Sequence, residues 1–100
     1  MDINCSRQGD VLNVSFSGDM CAECVPATEA FLKENLGGVT KLTLDFGNVR
    51  KLTNEGLMLL LSTRKKLGAA GMKIINVGED LYDSLEKQGV TTLIDVEKAG

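Results

Sequence analysis

Residues 41–78, "KLTLDFGNVRKLTNEGLMLLLSTRKKLGAAGMKIINVG", decide how this chain folds. Leu42, Leu44 and Phe46 alternate with Thr43 and Asp45, which predicts a half-buried strand. A polar turn, Thr53-Asn54-Glu55-Gly56, follows. Leu57, Leu60, Leu61, Arg64 and Leu67 then recur at helical spacing. Arg64 can lay its stem on that stripe and keep its charge in water. Lys65 and Lys66 suit the negative end of the helix dipole, and Gly68 and Gly71 bracket the end. "MKIINVG" is a short, dense apolar run that reads as a buried strand. Strand, helix, strand in this order implies a parallel pair joined by a right-handed crossover.

Upstream, "DVLNVSFSG" alternates Leu12, Val14 and Phe16 with Asn13, Ser15 and Ser17, a second half-buried strand closed by Gly18. A short strand near Ile3 and Cys5 precedes it across a hairpin turn at Gln8-Gly9-Asp10. "CVPATEAFLKENLGG" predicts the first helix, with Pro26 in the first turn, Phe31, Leu32 and Leu36 as its apolar stripe, and Gly37-Gly38 as its stop. Downstream, "EDLYDSLEKQG" is a short helix with Leu81 and Leu85 four apart and Gly89 as its stop. "VTTLIDVEKAG" forms a last edge strand, alone or followed by the start of a frayed helix. The expected order is β, β, α, β, α, β, α, β. This is an α/β fold with a mixed sheet of four to five strands and helices packed against it. No repeat or linker interrupts residues 1–100, so a single domain is expected.

Composition narrows the function. Hydrophobic residues make up 43% and charged residues 25%, the balance of a soluble globular domain. The net charge of −3 and the lack of a basic stripe argue against nucleic acid, whose phosphates need clustered Lys and Arg. No apolar run reaches the roughly 20 residues that span a bilayer. The start "MDINCSRQGD" lacks the layout of a signal peptide. A cytoplasmic protein without direct membrane insertion is expected. The three cysteines, Cys5, Cys21 and Cys24, fit poorly with a secreted disulfide framework. There is no histidine, which removes the commonest general base and zinc ligand.

Candidate chemistry is sparse. Cys21-Ala-Glu-Cys24 is a CxxC placed just before a helix, where a thiol pKa can fall. Glu23 between the thiols works against a thiolate, and zinc wants about four ligands. The pair reads either as a redox or metal site or as two small residues in a loop. No phosphate-binding glycine signature is present. Asp45, Glu55, Glu79 and Asp80 are scattered, so they make no acid–base pair by sequence alone. Thr53 or Asn54 can cap the helix they precede, and Glu55 suits its dipole. Met58 falls off the main stripe. It reads as a buried flank or as an exposed, adaptable contact.

Several pieces in order resemble the STAS family of anti-sigma-factor antagonists. "FSGDMCAECVPATEAFL" is similar to that family's G-[ED]-L-D followed by a helix start. Residues 41–78 are similar to its strand ending L-D-[LF]-S-x-V, its D-S-[SA]-G-[LI] turn, a long helix, a glycine stop and a V-G strand. "LYDSLEKQGVTTLI" resembles its next helix and final strand. The likeness runs from about Gly9 to Val96 and rests on ordered spacing rather than on any one motif.

The resemblance implies a non-enzymatic, cofactor-free regulatory module that binds a protein partner. In that family the usual partner is an anti-sigma factor that is also a serine kinase and phosphorylates the turn serine. By resemblance, Thr53 stands at the family's Asp, Asn54 at its phosphorylated Ser, Glu55 at the small residue and Gly56 at the Gly. Cys21 stands at the Asp of G-E-L-D, and Asp45 matches the strand-end Asp. Asn54 has no hydroxyl, so the usual phosphorylation does not occur there; Thr53 is a candidate displaced site. The expected partner surface is Cys21, Thr53, Asn54, Glu55, Gly56 and Met58. The expected partner is a kinase-type anti-sigma factor, another STAS protein or a transporter to which this chain is accessory. A thiol redox or metal-binding role for Cys21 and Cys24 is the alternative of a different class.

Overall fold

A computed structural model describes residues 2–20, 22–68 and 71–99. Strands β1 (Asp2–Gln8) and β2 (Val11–Ser17) form an antiparallel hairpin. Its two-residue turn places Gly9 at φ +63°, a conformation glycine adopts without strain. There follow α1 (Val25–Asn35), β3 (Lys41–Asn48), α2 (Asn54–Leu67), β4 (Met72–Val77), α3 (Glu79–Lys87) and β5 (Asp95–Lys98). The strands lie side by side in sequence order, with β2 through β5 all parallel. Successive crossovers of one hand between neighbouring parallel strands put all three helices on one face of the sheet, the face that carries the buried strand residues. The other face is left open.

Burial agrees with this one-sided layering. Leu12, Val14 and Phe16 of β2, Leu42, Leu44 and Phe46 of β3, and Met72 and Ile74 of β4 are buried. They meet Leu32 of α1, Leu59 and Leu60 of α2, and Leu81 and Leu85 of α3 in one core. Phe16 and Phe46 pack edge to face, with centroids 5.6 Å apart. Among the described residues, no helix is long and apolar enough to cross a membrane.

The expected elements are present, except that the last strand is confined to Asp95–Lys98 and follows a 3-10 turn at Val90–Thr92, and three further details differ from the sequence reading. "MKIINVG" is buried on one face only: Lys73 and Ile75 lie on the open face, half-buried. Simple alternation after Ile74 would also drive Asn76 into the core. Asn76 instead takes φ +59°, the pairing with β5 shifts register between Ile74 and Val77, and Val77 turns inward. The third difference is the phase of α2. Its buried positions are Gly56, Leu59, Leu60 and Thr63, while Leu57, Leu61 and Leu67 flank them, half-buried. Leucine counting misplaced the stripe because a glycine and a threonine occupy two of its positions. Buried Thr63 satisfies its hydroxyl by donating to the Leu59 carbonyl at 2.8 Å.

Candidate functional site

The tip of α2 is seated by main-chain bonds between two loops at the carboxyl ends of β2 and β3. Gly18 N–H donates to the Asn48 carbonyl (3.1 Å), and Met20 N–H to the Lys51 carbonyl (3.0 Å). Thr53 N–H donates in turn to the Met20 carbonyl (3.1 Å), so Met20 and Leu52 form an isolated parallel bridge. This lacing brings the segment around residue 20 beside the turn at 53–56. Cys21 itself lies outside the described residues.

Thr53 is the cap. Its backbone is extended (φ −76°, ψ 168°), and its hydroxyl accepts from Gly56 N–H at 3.3 Å. Asn54 and Glu55 are therefore the first helical residues, and both are exposed. Gly56 faces inward and is buried. A β-carbon there would lie 2.7 Å from Leu52 Cδ1 and 3.0 Å from Met20 Cγ and Sδ. The absence of a side chain at 56 is what lets the first turn of α2 rest on Met20, itself 0% exposed. One turn on, Met58 is 69% exposed, with Leu93 one of two exposed large apolar side chains among the described residues.

Charge divides across the tip. Towards α1 lies a shallow groove lined by Val25, Glu29, Glu55, Met58, Leu59 and Ser62. Towards α3 lies another that includes Arg50, Lys51, Thr53 and Asp80. The tip thus presents an acidic, apolar side and a mainly basic side, with Asn54 exposed on the first turn of the helix between them. Glu29, Arg50, Lys51, Asn54, Glu55 and Met58 are all exposed. They suit contact with another macromolecule better than enclosure of a small molecule.

Other sequence candidates have local roles. Asp45 Oδ1 accepts from Gly47 N–H at 2.9 Å and shapes the end of β3. Cys24 occupies the position before α1, half-buried, with its thiol 3.9 Å from the Asp19 carbonyl. The Thr28 hydroxyl bonds the Cys24 carbonyl at 2.9 Å. Among the described residues no group of three or more His, Cys, Asp or Glu side chains is arranged to hold a metal ion. The geometry of the CxxC as a pair, like Cys21, lies outside the described residues. Sequence reasoning missed the Met20–Leu52–Gly56 nest and the basic flank. "RK" at 50–51 was visible just before the turn, but its place opposite Glu29 and Glu55 depends on α1 packing beside α2.

The architecture is that of SpoIIAA-like anti-sigma-factor antagonists, the STAS fold. A putative anti-sigma factor antagonist from Thermotoga maritima superimposes with a TM-score of 0.85 at 13% identity, covering 96% of this chain and 86% of that one. An anti-sigma factor antagonist from Mycobacterium paratuberculosis gives 0.84 at 22% identity, covering 96% and 84%. Unphosphorylated SpoIIAA gives 0.76 at 15% identity, covering 99% and 90%. No protein-family profile matches the chain, and no curated protein matches it in sequence.

Proposed function

We propose that this chain is a non-enzymatic, cytoplasmic regulatory module that binds a protein partner through the amino-terminal tip of α2, as an anti-sigma-factor antagonist would. The observation that carries this reading is an exposed Asn54, Glu55 and Met58 on a helix tip held firmly by Thr53, Gly56 and Met20. A solvated patch held by main-chain bonds, with exposed Met58 on its α1 side, is what a partner can use without a large ordering cost. The neighbours named as anti-sigma factor antagonists support the class of partner. A kinase-type anti-sigma factor is the first choice, and another STAS protein or a transporter subunit are the others.

The tip works as a fixed surface. Asn54 offers no hydroxyl to a serine kinase. The Thr53 hydroxyl is half-buried and engaged in the cap, so phosphorylating it would break the bond that orders the first turn. Glu55 places one negative charge on that turn, less than the −1.5 to −2 of a phosphate. Cys21 belongs to this surface through its family position.

The test is titration of the purified chain with the kinase-type anti-sigma factor of its host, in the presence of ATP. Tight binding that ATP does not reverse is expected, with Asn54→Arg and Met58→Glu each weakening it at least about tenfold, as loss of a central contact does. Binding left unchanged by both variants would remove the helix tip as the site. Phosphate mapped to Thr53 by mass spectrometry would overturn the fixed-surface reading.

A further inference from the structure

The open edge of β1 is the feature the helix-tip reading leaves unused. β1 is seven residues long, pairs with β2 in unbroken register, and is exposed along nearly its whole length. Edge strands are usually blunted by brevity, Pro, Lys or a bulge. The opposite edge follows that rule: β5 has four residues, its pairing with β4 is bulged, and Lys73 bonds Glu97 across it at 2.6 Å. β1 is long, unbulged and free of Pro and Lys; its charged residues are Asp2 and Arg7, and the Arg7 guanidinium donates to the Gly9 and Gly37 carbonyls of its own chain.

Which groups of β1 point outward follows from the pairing. The Asp10 carbonyl accepts from Lys41 N–H at 3.2 Å, so the even-numbered residues of β2 direct their main chain towards β3. Val11, Asn13, Ser15 and Ser17 therefore bond β1, through Gln8, Ser6, Asn4 and Asp2. Ile3, Cys5 and Arg7 are left with N–H and C=O groups on the free edge. These three are spaced symmetrically about Cys5.

We propose that a second copy of this chain pairs with that edge, β1 to β1 and antiparallel, with Cys5 on the two-fold axis. Continuation of a sheet by a two-fold axis requires paired residues to share a face, which allows only even sums of residue numbers. The register that sums to 10 pairs Ile3 with the partner's Arg7 and Cys5 with the partner's Cys5. It satisfies all three outward residues with about six main-chain hydrogen bonds. A shift of two residues either way leaves one of the three without a partner inside the strand. On the open face the same register sets the Asp2 carboxylate against the partner's Gln8 carboxamide and Asn4 against the partner's Ser6. No like charges meet: Arg7, on the helix-side face with Ile3 and Cys5, keeps its guanidinium on the Gly9 and Gly37 carbonyls of its own chain, both at 2.9 Å, and lies opposite the partner's Ile3. That self-complementarity selects a second copy as the occupant over an unrelated strand. The contact is main-chain and small, under the ~1,200 Å² of stable complexes, so association is concentration-dependent. It lies on a different element from the α2 tip.

The axis can be read with thiols. In the hydrogen-bonded Cys5 pair the α-carbons are about 5.5 Å apart, inside the roughly 4.4–6.8 Å range of disulfides but with β-carbons at its wide end. In the non-hydrogen-bonded pair of residues 4 and 6 they are about 4.5 Å apart, and a disulfide closes with less strain. The experiment takes the chain with Cys21→Ser and Cys24→Ser, leaving Cys5, and oxidises it with diamide at sub-millimolar concentration. A Cys5-linked dimer is expected. Moving the thiol one residue, by adding Cys5→Ser and Ser6→Cys, should cut dimer yield at least tenfold, while Asn4→Cys and Ser6→Cys chains, each with Cys5→Ser, should link when mixed. Cys5→Pro removes only an outward N–H, a position where a strand tolerates proline. It should sediment as a monomer where the parent shows dimer. Equal linking at positions 5 and 6 would overturn the proposal. So would a monomeric parent at every concentration, or a folded Cys5→Pro that dimerises like the parent. If Cys5→Pro loses its far-ultraviolet dichroism, the thiol series decides alone.

Discussion

Replacing Gly56 by alanine tests whether the α2 tip rests on a glycine-sized gap. Within a helix alanine is preferred over glycine by about 1 kcal/mol, so an exposed position would gain stability. Here the new methyl would sit 2.7 Å from Leu52 Cδ1 and 3.0 Å from both Cγ and Sδ of Met20. Leu52 is half-buried and can give way, but Met20 is fully enclosed. Overpacking of this kind costs about 1–3 kcal/mol, which leaves a net loss of about 1 kcal/mol after the propensity gain. For a domain of this size that is a fall in Tm of about 4–8 °C. Differential scanning calorimetry with Gly37→Ala as the control reads it directly, because a β-carbon at Gly37 meets nothing within 4 Å. In a Leu52→Ala background the cost of Gly56→Ala should shrink, since the nearest clash is gone. A Gly56→Ala chain as stable as the parent, or a cost unchanged by Leu52→Ala, would refute the close-seating argument.

Two further outcomes follow from the same geometry. Thr53→Ala removes the cap and should cost about 1 kcal/mol, while Thr53→Ser should retain most of it; urea unfolding of the pair measures this. The Asp10 carboxyl is held below its ordinary value of 3.8, first by the hydrogen bond that the Thr40 hydroxyl donates to it at 2.5 Å. Its stabilising contribution is therefore present above that ordinary value and is lost as pH falls through the lower folded value. Carboxyl-carbon NMR titration should show the depression, and Thr40→Val should move Asp10 back towards 3.8; an identical titration in the variant would dismiss the bond as its cause.

Much of the architecture was legible locally. Alternation in "VLNVSFS" and "KLTLDF", proline at the start of α1 and glycine after α3 each predict an element from a few neighbouring residues. The structure places them there. What local pattern could not supply was phase where a non-apolar residue enters the core. Thr63 and Gly56 occupy the buried face of α2, and the left-handed Asn76 exchanges itself for Val77. Each depends on a neighbour distant in sequence or on a backbone conformation that hydropathy does not encode.

The candidate site divides in the same way. The sequence alone determined that a polar turn starts the α2 helix, that Asn54 carries no hydroxyl, and that an alternating β/α order gives a parallel sheet. Composition, side-chain chemistry and short-range periodicity are properties of the chain itself. Only tertiary structure decided that Thr53 rather than Asn54 is the cap, that Gly56 is a seat for Met20, and that Met58 stands exposed between α1 and α2. It alone also set Arg50 and Lys51 on the opposite flank of the tip from Glu29 and Glu55. Those outcomes are set by which segments meet across the sheet, and the Met20–Leu52 bridge joins residues thirty-two positions apart.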